Sequence, residues 1–459
     1  MSRPLHLTSW QQHLASRFPD LPASVVAVLA LYSFGMILAQ VNGLGRVALF
    51  LAQHLGLPYD ALRKRLREFY LEAPAKSGVR QGIKRQDFDV RTCFAPLLRW
   101  VLSLWSGLRL PLAIDVTNLA DRFHVLCVSV VVGGVALPVA WKVLLGGVKD
   151  PWGPHWEKLL RGLKEAVPEG WTVLVLSDRG LESADLFRFI QDLGWHPLMR
   201  VKKGGKFKPS GWGQFSYLQQ LVRRVGTCYC AEGLAYTGEK LRCTLLACWA
   251  EGHAEPWLLL TDLPPEAGNA VWYGLRSWIE QGFKVIKGGG WDWHKTRMDD
   301  PTRVERLWLV LAVATVWVVA LGIEDEAQQR LWEQWHQLHR ELSESEQQTQ
   351  ARRDREQQRL QKQREALQAR QERLARRRQA KQQAAAQKKD RAKRVKATAA
   401  QGTVQQRTHR VSLRGLAVLK AAWARGQSLL PRHLYPEPWP PPTHAASTLT
   451  EQEFLSQPK

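Results

Sequence analysis

The sequence predicts a mixed α/β sheet flanked by helices, and two observations carry that reading. First, three strand-like runs follow one another: PLAIDV, FHVLCVSVVV and VALPVAWKVLL, the last two joined at Gly133 and Gly134. Second, the chain then alternates between periods, with HWEKLLRGLKEAV as helix, WTVLVLS as strand, ADLFRFIQDLG as helix and HPLMRVKK as strand. An antiparallel meander continued by crossover units fits that order.

Each element follows from its pattern. Two adjacent glycines supply the positive φ that a tight hairpin needs. Trp156, Leu159, Leu160, Leu163 and Val167 recur at helical spacing and would form one apolar face. WTVLVLS is apolar almost throughout, as a strand covered on both faces must be. Ahead of the sheet, residues 1–95 read as a helical N-terminal domain. There an apolar helix, VALFLAQHLG, meets a basic one, LPYDALRKRLREFY, across a Gly-Leu-Pro turn. The pair has the layout of a helix-turn-helix and equally of an ordinary helical hairpin; in the first case Arg63, Lys64, Arg65 and Arg67 would face phosphates.

The sheet pattern occupies residues 96–201 and is followed at 202–262 by a β-rich insertion, Gly- and Lys-rich at its start. Helical periodicity returns over 263–323. Residues 324–404 predict a long basic helix, since no Gly or Pro occurs between Glu324 and Ala400 while Gln, Arg, Ala, Glu and Lys dominate. Leu360, Leu367 and Leu374 recur every seven residues there, without the second apolar position that a stable coiled coil uses, so any self-association should be weak. Its Arg/Lys excess suits electrostatic contact with DNA, or else a solvated helix. Residues 405–459 read as a helical segment and a Pro-rich, unstructured tail.

The whole chain of 459 residues carries a formal charge of +23. A surface that basic favours a polyanion, nucleic acid ahead of an anionic membrane. Six scattered cysteines point to a reduced, cytoplasmic protein rather than a disulfide scaffold. The N-terminus, MSRPLHLTSW, lacks the layout of a signal peptide. The apolar run Leu307 to Gly322 is short of the ~20 residues of a spanning helix, which favours a buried core helix and no membrane partner.

Two aspartates then draw attention. Asp115 stands at the end of the first strand, in IDVTN, and Asp178 directly after TVLVLS, in SDRG. Strand ends are where α/β sheets collect reactive groups. If these strands are neighbours, two like charges share one crevice and need a cation, which motivates a Mg²⁺ or Mn²⁺ site. Singly, each is as well read as a turn residue or helix cap. A third element adds to them: Tyr273, Arg276, Glu280 and Lys287 stand as Y-x2-R-x3-E-x6-K on a helical pattern. That spacing would align them in one stripe, with Leu275, Trp278, Ile279, Phe283 and Ile286 packing on the other face. An ordinary amphipathic helix with i,i+4 ion pairs has the same look.

With these residues in place, the chain resembles the DDE transposases of bacterial insertion sequences, in particular the group with a YREK signature. The likeness covers about residues 30–325 and, through VSLRGLAVLK, 405–430. It implies a ribonuclease H-like core and an association with the bacterial nucleoid. It also implies two divalent metals on the catalytic carboxylates Asp115, Asp178 and Glu280, with Tyr273, Arg276 and Lys287 on DNA phosphates. The implied partners are double-stranded DNA, as transposon inverted repeats and target, and a second copy in a synaptic homodimer. The implied reaction nicks the transposon end and transfers the freed 3′-hydroxyl to target DNA. An insertion tryptophan, Trp249 or Trp257, would stack a flipped base. The long helix at 324–400 departs from this family's pattern. Alternatives on the same fold are a structure-specific nuclease and a domesticated, inactive DNA-binding protein.

Other signals carry less. Cys228, Cys230, Cys243 and Cys248 lack the usual C-x2-C pairs of zinc sites and fit core strand positions. No phosphate-binding GxxxxGK[ST] loop occurs. His124 reads as structural, and Asp121, a turn past the strand, is the one rival for Asp115.

Overall fold

The computed structural model describes residues 5–76, 87–379 and 410–440. The basic run after Gln379 and the end of the Pro-rich tail lie outside the described residues. The chain divides into two units, residues 1–326 with 407–459, and residues 327–406.

The first unit opens with four helices: α1 (Leu5–Arg17), α2 (Ala23–Ala39), α3 (Leu44–Leu55) and α4 (Tyr59–Tyr70). The expected apolar–basic pair is α3 and α4, separated by Gly56, whose φ of 64° ends α3. After α5 (Phe94–Ser103) come β1 (Arg109–Leu119), β2 (Phe123–Val132) and β3 (Val135–Leu145) as an antiparallel meander. Gly133 and Gly134 both take positive φ at the β2–β3 hairpin, as expected. Next are α6 (Gly153–Lys164), β4 (Thr172–Ser177), α7 (Ala184–Asp192) and β5 (His196–Arg200), with β4 parallel to both β1 and β5.

The β-rich segment does not form a sheet of its own. β6 (Lys206–Pro209), β7 (Ser216–Tyr217), the short α8 (Leu218–Leu221), β8 (Cys228–Ala235), β9 (Leu241–Cys248) and β10 (Trp257–Thr261) follow. β10 pairs with β5, so the sheet continues unbroken in the order β3-β2-β1-β4-β5-β10-β9-β8-β6-β7. The order β3-β2-β1-β4-β5, with its antiparallel meander and two parallel crossovers, is that of a ribonuclease H-like core. The register of β8 on β9 sets Cys228 opposite Cys248, and the two form a disulfide. This one pair beside four free cysteines is no disulfide scaffold; Cys230 and Cys243 are the buried core residues expected, whereas Cys228 and Cys248 are only partly buried. The pairing escaped a residue-by-residue reading because it depends on cross-strand register.

Beyond the sheet, α9 (Ser277–Lys284) packs on β3, and the apolar start of α10 (Pro301–Gln379) forms the centre of the core. Residues Leu307 to Leu321 are buried, and the apolar window of this helix is 94% enclosed by protein, so the run is a core helix as expected. Tryptophans converge on it. Trp10 of α1 stacks on Trp317 at 3.6 Å, and Trp141 of β3 and Trp293 both contact Trp308. Trp423 of α11 (Arg410–Ala424) meets Trp317 edge-on. The N-terminal helices thus share one core with the sheet.

α10 and α11 cross at two glycines. A Cβ on Gly322 would lie 1.8 Å from the Val411 carbonyl oxygen, and one on Gly415 would lie 1.7 Å from that of Val318. Backbone cannot yield as a side chain can. Gly415→Ala should therefore lower stability by about 1–3 kcal/mol, read as a fall in the urea midpoint; an unchanged midpoint would mean the helices do not meet here.

In the second unit α10 runs on as helix to Gln379, in keeping with its Gly- and Pro-free sequence.

Candidate functional site

The site begins with strand register. On the parallel pair, Ile114 of β1 faces Ser177, the last residue of β4. The next residue on each chain is an aspartate, Asp115 and Asp178. Asp115 does not end its strand, as expected from sequence: β1 continues to Leu119 because β2 still pairs with it there. It is β4 that stops, leaving one edge of β1 open at Asp115. Asp178 caps the turn that follows, its Oδ1 accepting from the Arg179 N–H at 2.7 Å.

The Y-x2-R-x3-E-x6-K segment is not one regular α-helix. Asn269 caps a 3₁₀ stretch, Ala270–Arg276, which passes into α9 and then into a π-turn at Val285–Gly289. In the 3₁₀ turn, side chains three apart eclipse, so Tyr273 and Arg276 still share a face. Ile279, Phe283 and Ile286 are buried as expected, while Leu275 and Trp278 are only partly covered.

Arg276 joins the three carboxylates. Its Nη2 lies 2.7 Å from Asp115 Oδ2 and 3.7 Å from Asp178 Oδ2, and its Nη1 is 3.3 Å from Glu280 Oε1. Only 12% of the Arg276 side chain is exposed, against 58% for Glu280, so the pair with Asp115 is the enclosed one. Burial holds the Asp115 carboxyl above the usual carboxylate range; the Arg276 charge opposes this, and Asp178 and Glu280 add to it. Burial likewise raises the Tyr273 phenol far above its ordinary value. Its Oη has no hydrogen-bond partner, and its ring meets Trp257 edge-on at 5.6 Å. Lys287 lines one cavity of about 590 Å³ with Asp115 and Glu280, and burial lowers its ammonium below the ordinary range.

All six residues singled out in the core thus come together. Among the described residues no group of three or more His, Cys, Asp or Glu side chains is arranged to hold a metal ion, and Arg276 is the cation among the carboxylates. Asp121 lies in the turn after β1 and takes no part in this network. His124 pairs with Asn118 across the strands at 2.8 Å. Of the two insertion tryptophans, Trp257 reaches Tyr273, while Trp249 donates to the His253 carbonyl. Sequence reasoning missed Glu255, which gathers Arg179 at 3.1 Å, Arg200 at 3.8 Å and Lys203 at 3.7 Å. The basic run RVKK, at the end of the strand next to β4, was its available signal.

Arg63 lies apart from this site, on a cavity of about 930 Å³ with Arg46, Lys295 and Arg297. Lys64 and Arg67 are exposed on α4.

Residues 153–317 match the family model described as a transposase DDE domain. The match includes Asp178, Arg276 and Glu280 and begins after Asp115. Over those residues the chain is similar to the DDE domain of transposases. Among solved structures it is similar to a piggyBac transposase synaptic complex with hairpin DNA, determined by cryo-EM. The identity is 13% over 68% of this chain and 71% of that chain, with a TM-score of 0.37. No curated protein matches the chain.

The Asp115 shift has a consequence for stability. A carboxyl raised above its unfolded value keeps more protons in the folded state, so stability falls as pH rises from the ordinary carboxylate range through the folded value. Asp115→Asn cannot ionise and escapes that loss. In metal-free buffer its urea midpoint, relative to the unsubstituted protein, should climb as pH is raised through this window; a relative decline would mean that Arg276 outweighs burial.

Proposed function

We propose that the protein is a DNA transposase of the insertion-sequence type with a YREK signature. It would cut transposon ends and join them to target DNA, with Asp115, Asp178 and Glu280 as catalytic carboxylates. The observation that supports this most is the meeting of three sequence-remote carboxylates on one guanidinium, at 2.7, 3.7 and 3.3 Å. A carboxylate cluster at the end of a parallel strand, open on one side and set on rigid elements, suits phosphoryl transfer.

Carboxylate oxygens are the preferred ligands of a hard divalent ion such as Mg²⁺ or Mn²⁺; Arg276 now supplies the positive charge among the three, so ions bound there would take its place. Asp115, Asp178 and Glu280 would hold two such ions. When bound, the pair polarises the scissile phosphodiester and lowers the pKa of the attacking water or 3′-hydroxyl. The protein's own groups do the rest. β1 and β4 hold the two aspartates in fixed register. Arg276 and Lys287, within reach of the carboxylates, bind phosphate oxygens of the transposon end. Tyr273, kept neutral by burial, donates its O–H to a phosphate oxygen. Trp257 offers the aromatic face for an unstacked base. Farther away, Arg63, Lys64 and Arg67 of α4 hold the flanking duplex, with Arg63 sharing its groove with Arg46, Lys295 and Arg297.

With purified protein, Mg²⁺ and end-containing DNA, strand cleavage should fall by at least about 10²–10³-fold in each of Asp115→Ala, Asp178→Ala and Glu280→Ala. Duplex binding should persist. Unimpaired cleavage in any one variant would remove that residue from the site. Lys287→Ala should instead bind ends more weakly, with a dependence of log affinity on log salt shallower by roughly 0.9, the share of a single neutralised phosphate. An unchanged salt slope would leave Lys287 without a phosphate.

A further inference from the structure

The second unit presents an apolar stripe to solvent. Leu331, Trp335, Leu338 and Leu360 are exposed at 66%, 56%, 56% and 54%. On a helix of 3.6 residues per turn, positions 331, 335, 338, 342, 360, 367 and 374 fall within one sector of about 60°. Every one of these positions is Leu or Trp, and the same sector also holds Thr349, Arg353, Glu356, Gln371 and Arg378, so the apolar residues gather toward its two ends. A strict seven-residue count loses the stripe because 342 and 360 are eighteen residues apart, which is five α-helical turns but not a whole number of heptads. The leucines at 360, 367 and 374 therefore do have apolar companions, earlier on the same helix.

Charge is divided along the stripe. Residues 333–346 carry four acidic side chains and one basic, whereas residues 352–379 carry eleven basic and four acidic. Pairing two such helices in parallel would set arginine-rich halves against each other. Antiparallel pairing sets each acidic half against a basic one, with two apolar layers at each end, Trp335 opposite Leu374 and Leu342 opposite Leu367, and Arg353 opposite Glu356 at the centre.

We infer that this helix is a docking surface for a second copy of the chain, joined as an antiparallel helical pair. The inference uses only the helix of the second unit and is independent of any catalytic role. Apolar side chains on one sector supply the seam, and the opposed charges choose the orientation. Trp332, about 100° around the helix from Leu331, lies off the seam and serves as an internal control.

The test is the mass of the full chain in solution by light scattering, without DNA, together with directed cross-linking. The unsubstituted protein should be dimeric at micromolar concentration. Trp335→Glu with Leu338→Glu should be monomeric with its helical circular dichroism retained, while Trp332→Glu stays dimeric. A mixture of Trp335→Cys copies and Leu374→Cys copies should give a covalent dimer on mild oxidation. Neither variant alone, nor the unsubstituted chain, should give one. A monomeric unsubstituted chain, a dimer that survives the double substitution, or cross-linking of Trp335→Cys to itself would each overturn the inference. The last of these would reveal parallel pairing. Should the double substitution unfold the helix, the mixed-copy cross-link still decides.

Discussion

One guanidinium holds the site together. Arg276 reaches carboxylates from β1, from the turn after β4 and from α9, three elements far apart in sequence. Three negative charges at this spacing repel unless positive charge lies among them, and partial burial makes that repulsion harder to screen. Arg276 meets the requirement at the centre, where it is least exposed. Its own charge is held there by the same neighbours: burial opposes the cation, yet Asp115, Tyr273, Asp178 and Glu280 together keep its pKa above the ordinary value.

The constraint extends into the backbone. α9, with the 3₁₀ turn that ends at Arg276 ahead of it, brings Arg276 and Glu280 to the aspartates by lying flush on β3. Gly282 makes that approach: a Cβ there would sit 2.7 Å from the Ala136 carbonyl oxygen. Behind β3, Trp141 packs on Trp308 of α10, and its indole donates to the Glu305 carbonyl at 3.0 Å. Glu305 is itself buried and accepts from the Val143 N–H at 3.0 Å. The sheet, the core helix and the site helix are thus coupled through a few contacts, and the N-terminal helices join them through Trp10 on Trp317.

Much of this was legible in the sequence, because it rests on local pattern. The meander, its Gly133–Gly134 turn and the alternating helices and strands follow from periodicity and turn chemistry, which act over a few residues. The candidate carboxylates were legible for a related reason: each is marked by its own short context, two by the apolar run before them and one by the spacing of Tyr273, Arg276, Glu280 and Lys287. What escaped depends on which segments become neighbours. Asp115 sits mid-strand because β2 outlasts β4 beside it, and no feature of β1 itself records that. The Cys228–Cys248 pair, the cations around Glu255 and the continuation of the sheet through β10 are likewise products of register. The change from 3₁₀ to α to π around Glu280 answers to no single residue's propensity.

On the function proposed above, Asp115, Asp178 and Glu280 act as one cation-binding cluster. Titration of the metal-free protein with Mn²⁺, followed by electron paramagnetic resonance, tests it most directly. Saturable binding is expected, weakened strongly by each of Asp115→Asn, Asp178→Asn and Glu280→Gln, with all three variants remaining folded. Mn²⁺ binding that is indifferent to one of these changes, or absent from the unsubstituted protein with and without DNA, would contradict it.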